Sequence, residues 1–358
     1  MSSQPVPPSE NSLIREKVRG YAQEQRKEGR TEAKDSLRIG LGQIKEEFAA
    51  QDNLSEKDVH GLATRIKRRK HATSEDLFRL ALAFLQGVEN INAFAAIPGA
   101  LQVLVKELTG SDTQRQIDAA ECLCNLSLGE AHVAEKISSL AGSYMVTYLD
   151  GKDGRLKRSC LWTLANILAT SDKAAQQLLQ MQIVPKLWKI YSGEGASKGF
   201  QEDAGICLHL IAKNATHHVN AEDREYIAHH IFSIRPEDPG SKYLMYIIHQ
   251  LKIVELHSGL GTQQAEFLVN FFIASLYSQA NSLAVSYGVR VVANLMAINN
   301  PSLIGVLADD NIFVAALNKL FALRDPRLNM DLMRMLRNFL NLNILDSNLV
   351  LDRLQVYA

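Results

Sequence analysis

The chain has 358 residues, and its 39 Lys and Arg residues are balanced by 39 Asp and Glu residues, so the formal net charge is zero. Hydrophobic residues make up 46% of the chain, which is ordinary for a soluble protein with a substantial core. No apolar run reaches the roughly 18 residues that a spanning helix needs, and the N-terminus lacks the features of a secretory signal. The composition therefore argues against a membrane-spanning protein, a secreted protein and a strongly basic nucleic-acid binder.

The N-terminal part of the chain differs from the rest in charge and hydrophobicity. Residues 1–12 contain three prolines and almost no hydrophobic anchor, so we predict a disordered tail. Residues 13–70 carry 15 Lys and Arg against 10 Asp and Glu, a net charge of +5, whereas residues 71–358 carry a net charge of −4. We therefore predict a basic, helical N-terminal segment over 13–70, which includes a basic cluster at Arg65–Lys70, joined to a mildly acidic body.

From Thr73 onward, apolar helical segments recur at a regular interval. Seven segments align on one position, which is an amide in five of them: Phe84, Asn125, Asn166, His209, Gln250, Asn294 and Asn338. The intervals are 41, 41, 43, 41, 44 and 44 residues, within the range of about 40–47 that is typical of armadillo and HEAT repeats. We predict an all-α, right-handed superhelical solenoid of about seven repeats over 71–358, because helices of this kind bury their apolar faces only by stacking.

Helix-breaking residues are found inside several repeats. Pro98 and Gly99, Pro185, and the cluster Asp309–Asn311 each lie between two apolar segments. Such residues are typical of sharp corners between helices, so we predict a corner between the first and second helices at these positions.

The residue types that carry most enzyme and metal chemistry do not occur in recognisable patterns. No phosphate-binding loop, zinc-protease or hydrolase motif is found, and the pairs His217-His218 and His229-His230 lack metal-ligand spacing. We therefore expect a protein that is not an enzyme, with no cofactor, no metal site and histidine pairs at the surface. Buried thiols, rather than disulfides or a zinc site, are predicted for all four cysteines: Cys122, Cys124, Cys160 and Cys207.

The repeat over residues 160–191 resembles an armadillo repeat of the importin-α kind, and it reads CLWTLANILATSDKAAQQLLQMQIVPKLWKIY. The third helix of a repeat in that family carries a Trp followed four residues later by an Asn, as Trp162 and Asn166 do here. The stretch before it, QRQIDAAECLCNLSLGEAHVAEKISSLAGSYMVTYL, and the basic N-terminal segment are similar to the importin-α-related transmembrane and coiled-coil domain-containing protein six family. Despite that family's name, this sequence shows no membrane span.

The resemblance implies that the third helices line a concave groove for a protein cargo. An Asn amide there would hold the main chain of an extended segment, and a Trp would pack against a Lys or Arg stem. The predicted cargo-binding residues are Glu121, Asn125, Trp162, Asn166, His209, Tyr246, Gln250, Arg290, Asn294, Arg334 and Asn338. The residues at this face change from acidic and aromatic to arginine along the chain, which favours a ligand with a basic and an acidic stretch, or a dedicated cargo bound through a folded surface.

Two interpretations of the basic N-terminal segment stay open. In importin-α such a segment binds importin-β, and the resemblance implies that role here for Arg15, Lys17, Arg19, Arg26, Lys27 and Arg30. The alternative is a helix that caps the first repeat. The cluster Arg65–Lys70 is either a localisation signal or a solvated helix end.

The sequence therefore favours a non-catalytic adaptor that carries a protein cargo between cytoplasm and nucleus and engages importin-β. The alternative is a dedicated chaperone or assembly scaffold with no link to importin-β. Zero net charge argues against nucleic acid as the partner.

Overall fold

The structure is a computed structural model that describes residues 54–194, 199–256, 260–278, 282–298, 307, 310–342 and 354. These residues form 16 α-helices and four short 3-10 helices, and they contain no β-strand. The prediction of an all-α fold is therefore confirmed. The chain divides into two compact units, Met1–Ile183 and Val184–Ala358.

The described part of the first unit consists of eight helices. They are α1 (Glu56–Arg69), α2 (Ser74–Gln86), α3 (Val88–Ala95), α4 (Ala100–Leu108), α5 (Thr113–Leu126), α6 (Ala131–Tyr148), α7 (Gly154–Thr170) and α8 (Asp172–Gln180). The aligned segments of the repeat lie on α2, α5 and α7, which we call the third helices of this unit. The third helices pack in chain order, α2 against α5 and α5 against α7, while α4 packs against α5 and α6 packs against α7.

The second unit is built in the same way from eight further helices. They are α9 (Ile183–Tyr191), α10 (Gln201–Asn214), α11 (Ala221–His230), α12 (Leu244–Gln250), α13 (Thr262–Tyr277), α14 (Ser282–Ala297), α15 (Asp310–Ala322) and α16 (Asn329–Asn341). The aligned segments lie on α10, α12, α14 and α16, the third helices of this unit, and each packs against the next. The predicted periodicity thus corresponds to direct helix stacking within each unit.

Helix α1 is the described part of the predicted basic segment, and it packs against the first repeat. It begins with a capping box, in which Ser55 N donates to Asp58 Oδ2 at 2.9 Å and Asp58 N donates to Ser55 Oγ at 3.4 Å. Its apolar face, which includes Leu62 and Ile66, is buried against α2, α3 and α4. Residues 67–70 of the basic cluster are exposed at its C-terminus, where cations favourably meet the helix dipole.

The predicted corners agree with the structure in one repeat and are displaced in another. Helices α3 and α4 meet at 96° around Gly99, whose φ is +90°, as the Pro-Gly pair predicts. Pro185, however, is the third residue of α9, in the first turn, where its missing N–H costs no helical hydrogen bond. The corner before α9 lies instead at Gln182, which has a φ of 54°. Residue 309 lies outside the described residues.

The cores of both units are apolar and contain all four cysteines in buried positions, as predicted. Burial raises the pKa of the Cys122, Cys160 and Cys207 thiols, so these groups stay protonated and unreactive. No single described helix is both long and apolar enough to cross a bilayer. Helices α3 and α4 reach that length and apolar content only when they are taken together, and they are sharply bent against each other.

Candidate functional site

The aligned asparagines of the first unit connect one third helix to the next. Asn125 Nδ2 on α5 donates to the carbonyl oxygen of Ala81 on α2 at 2.7 Å. Asn166 Nδ2 on α7 donates to Cys124 O at 3.2 Å and to Ser127 Oγ at 2.9 Å. Both side chains are buried, with 2% and 4% of their surface exposed. Their amide donors are therefore already used within the protein.

These contacts explain why an amide recurs at this position. Cys124 O lies in the last turn of α5, where carbonyls lack helical partners, and it accepts from both Ser127 Oγ at 2.6 Å and Asn166 Nδ2. At the first aligned position, a buried Phe84 stacks edge-on against Phe94 at 5.1 Å instead. The two polar atoms of the Asn125 amide differ: Nδ2 donates to Ala81 O, whereas Oδ1 is buried without a hydrogen-bond partner among the described residues.

The charged and aromatic predicted residues of the first unit lie on the same helices. Glu121 on α5 pairs with Arg155 on α7 at 3.3 Å, with both side chains well exposed to solvent. Trp162 is half-buried on α7, one turn before Asn166. The acidic charge predicted for this part of the groove is thus partly neutralised by an arginine of the next third helix.

An aromatic row dominates the third helices of the second unit. It consists of five rings in contact, in the order Tyr243, His209, Tyr246, Tyr287 and His249. The distances between successive ring centroids are 5.1, 4.2, 4.6 and 5.4 Å. The sequence pattern identified His209 and Tyr246 but missed the other three. Tyr243 and Tyr287 lie three residues before Tyr246 and Arg290, so they share the face that the alignment had already selected.

Glycine at position 205 makes room for part of this row. Gly205 takes the place in its repeat that Trp162 has in the first unit. A Cβ at this position would lie 2.9 Å from Tyr191 Cε2 and 3.0 Å from Tyr243 Cδ2. The two tyrosine rings therefore fill the volume that a larger side chain would need.

Two of the predicted amides in the second unit form no hydrogen bond within the part of the chain that the structure describes. Gln250 on α12 and Asn294 on α14 are half-buried, and neither side chain forms a hydrogen bond with a described residue. Asn338 on α16, by contrast, is 8% exposed and donates to Ala293 O on α14 at 2.9 Å. The aligned position therefore contains two kinds of amide. One kind links neighbouring third helices, and the other forms no hydrogen bond with a described residue and can bind a ligand.

Two cations of this chain lie over rings of the aromatic row, one over Tyr243 at its first end and one over Tyr287, the fourth ring. Lys242 Nζ lies 5.1 Å from the centre of the Tyr243 ring and pairs with Glu202 at 2.5 Å. Arg290 Cζ lies 4.8 Å from the Tyr287 ring, and Arg290 Nε donates to Asp331 Oδ2 at 2.6 Å. The hydrogen bond with Asp331 raises the pKa of Arg290.

The histidine at the end of the row is held neutral. Burial lowers the pKa of His249, and the neighbouring Arg290 lowers it further. Its Nδ1 atom is buried without a hydrogen-bond partner among the described residues.

The remaining predicted residues divide between the surface and the part of the chain that the structure does not describe. Arg334 on α16 is exposed and forms no ion pair with a described residue. The six residues proposed for importin-β lie outside the described residues: Arg15, Lys17, Arg19, Arg26, Lys27 and Arg30. The histidine pairs lie at the surface of the second unit, where His217, His229 and His230 are exposed.

No family model matches the chain. Among solved structures, an engineered protein is similar over 93% of this chain and 76% of its own, with 22% identity and a TM-score of 0.60. A designed armadillo-repeat protein in complex with the peptide (KR)4 covers 74% of this chain and 92% of its own, with 20% identity and a TM-score of 0.42. A computationally designed armadillo-repeat protein for modular peptide recognition covers 78% and 99%, with 18% identity and a TM-score of 0.45.

At these identities the comparisons establish the fold alone. The chain is an all-α repeat solenoid, as predicted. Its armadillo-like character follows from its own repeat of 41 to 44 residues and from the stacking of its third helices.

Proposed function

We propose that this protein is a non-catalytic scaffold that binds an extended segment of a protein partner along its third helices. The observation that carries the proposal is the pair Gln250 and Asn294, whose amides form no hydrogen bond with a described residue and lie on two helices that pack against each other. An amide donates and accepts in the same way as a peptide main chain, so two successive amides match an extended segment. The aromatic row beside them supplies apolar contact area.

The more specific role is the transport of a protein cargo into the nucleus. It is supported by the spacing of Trp162 and Asn166 in a repeat that resembles those of importin-α, and by the net charge of +5 over residues 13–70. A basic segment of this kind suits importin-β as the transport partner. Cytoplasm and nucleus are then the two compartments in which the protein functions.

A second candidate is a chaperone or assembly scaffold without importin-β. It is favoured by the internal use of the residues that resemble an importin-α site. Asn166 donates to Cys124 O and Ser127 Oγ, and Glu121 pairs with Arg155. Both groups are therefore less available to a basic localisation signal than the resemblance implies.

Binding of importin-β separates the two candidates. We expect the full chain to retain purified importin-β and the chain without residues 1–48 to lose it, because the basic residues concerned precede α1. The described helices begin at Glu56, so the shortened chain keeps all of them, and a cooperative urea-unfolding transition of the shortened chain serves as the control for folding. If neither form binds importin-β, the transport role is wrong and the scaffold role stands.

Peptide display tests the binding of an extended segment directly. We expect the immobilised full chain to enrich a family of sequences from a random peptide library. The double variant Gln250→Ala and Asn294→Ala should lose that enrichment while keeping its helical spectrum, because neither amide forms a hydrogen bond with a described residue. Absence of any enriched family with the full chain, or the same enrichment with the double variant, would rule out this groove as the binding site.

A further inference from the structure

The aromatic row of the second unit resembles a site for cationic side chains, but two of its rings already face cations of this chain. Lys242 lies over Tyr243 and Arg290 lies over Tyr287, each fixed by a carboxylate, Glu202 or Asp331. A Lys or Arg from a ligand would have to displace a paired cation or lie beside it. Repulsion between like charges therefore disfavours a basic ligand on this row.

The two third helices at the end of the second unit, α14 and α16, carry an excess of positive charge. Arg290, Arg334 and Arg337 are on α14 and α16, and Asp331 is the acidic residue on these two helices. Three arginines against one aspartate give a local charge of +2. Asp331 is bonded to Arg290, whereas Arg334 and Arg337 are exposed and form no ion pair with a described residue. A guanidinium of this kind binds a carboxylate through two parallel hydrogen bonds.

The unbonded amides lie next to this charge. Asn294 follows Arg290 by one turn on α14, so the two side chains share a face. Gln250 lies on α12, which packs against α14. The Nδ1 atom of its neighbour His249 is buried and has no hydrogen-bond partner among the described residues. Hydrogen-bonding groups for a main chain and guanidinium groups for an acidic side chain are thus brought together by three consecutive third helices.

We propose that the second unit binds an extended peptide segment with an acidic side chain. Gln250 and Asn294 hold the main chain of the segment, the aromatic row packs against its neutral side chains, and Arg334 binds its Asp or Glu. This inference rests on the proposed function and adds the charge class of the ligand. A peptide fits better than a nucleic acid, because two available arginines are few for a phosphate backbone and the chain has zero net charge.

The peptides enriched by display on the full chain provide the first test. We expect Asp and Glu to be over-represented in them and Lys and Arg to be depleted. A basic family of peptides would overturn the acidic assignment but leave the proposed binding of extended segments intact. Failure to enrich any family would count against the proposed function itself, so the two failures are distinguishable.

A matched pair of variants provides the second test. An enriched peptide is synthesised in two forms, one with its Glu and one with Gln at the same positions, and binding is measured by fluorescence anisotropy. Arg334→Gln should weaken binding of the Glu form of the peptide by about tenfold, which is the loss expected for one charge-assisted hydrogen bond. Binding of the Gln form should stay nearly unchanged. Gln250→Ala with Asn294→Ala should weaken both forms.

The control is Arg327→Gln, because Arg327 is also exposed but forms an ion pair with Asp325 at 2.7 Å. This variant should bind both peptide forms as the original chain does. If Arg327→Gln and Arg334→Gln weaken binding of the Glu form equally, the effect is general electrostatic attraction and the assignment of Arg334 is wrong. Binding of a single-stranded oligonucleotide that displaces the acidic peptide and is weakened by Arg334→Gln would assign the arginines to phosphate instead.

Discussion

At the scale of single residues, the aligned asparagine has two roles that look identical in the sequence. Asn125, Asn166 and Asn338 donate to a carbonyl of the preceding third helix, 42 to 45 residues earlier in the chain. Asn294 has the same residue type at the same repeat position, yet its side chain forms no hydrogen bond with a described residue. The periodicity located all four, but only the packing around each one decided which amide is available.

Replacement of one asparagine of each kind should separate these roles. Asn166→Ala removes a donor from Cys124 O and Ser127 Oγ in a buried site, so we expect it to lower the free energy of unfolding by about 1–3 kcal/mol. Asn294→Ala should change it by less than about 0.5 kcal/mol, because that side chain is half-buried and unbonded. Urea denaturation followed by circular dichroism measures both. Equal effects of the two substitutions would contradict the structural role of Asn166.

At the scale of helices, a residue that differs from the repeat pattern is explained by the side chains that neighbouring helices pack against it. The position four residues before the aligned one is Trp162 in α7 but Gly205 in α10. The sequence shows this departure without explaining it. The structure explains it, because the rings of Tyr191 from α9 and Tyr243 from before α12 fill the space beside Gly205. The OH group of Tyr191 also donates to Gly240 O at 3.0 Å, which fixes that ring in place.

A methyl group at this glycine tests the packing of α10. Gly205→Ala should lower the free energy of unfolding by about 1–3 kcal/mol, because the new Cβ overlaps two aromatic rings. Gly61→Ala is the matched control, since Gly61 is an exposed glycine within α1 and a Cβ there would meet nothing within 4 Å. That substitution should stabilise the protein by about 0.5–1 kcal/mol through the higher helix propensity of alanine. Thermal or urea denaturation measures the two changes in the free energy of unfolding, which should have opposite signs. If Gly205→Ala leaves the free energy of unfolding unchanged, the two rings move aside for the new methyl group.

At the scale of the whole molecule, charge is organised between neighbouring repeats. Glu121 pairs with Arg155, Glu202 with Lys242, and Arg290 with Asp331, and the partners of each pair are 34 to 41 residues apart. The sequence suggested a groove that changes from acidic to basic. Because the charges in these pairs are neutralised, the net charge along the groove changes less than the sequence suggested. Arg334 and Arg337 on α16 are the arginines of the second unit's third helices that form no ion pair with a described residue.

Stability in a repeat protein is expected to depend on nearest-neighbour contacts. Asn166→Ala should therefore increase amide hydrogen exchange in α5 and α7, which its side chain connects, and leave α14 and α16 unchanged. Hydrogen exchange with mass spectrometry of the full chain measures this distribution, and Asn294→Ala provides the comparison. A uniform increase across both units would instead indicate that the chain opens as a single cooperative body.

The sequence by itself determined the all-α class, the repeat of 41 to 44 residues, the burial of the four cysteines and the helices on which the candidate site residues lie. These features depend on apolar periodicity, which every stacked repeat must keep in order to bury its face. Tertiary structure decided which amides are used internally, which charges are paired and which rings join in the aromatic row. Those properties depend on contacts between residues about 40 positions apart. The ring of Tyr243 meets that of His209, and the ring of Tyr287 meets that of His249, only when the repeats are stacked.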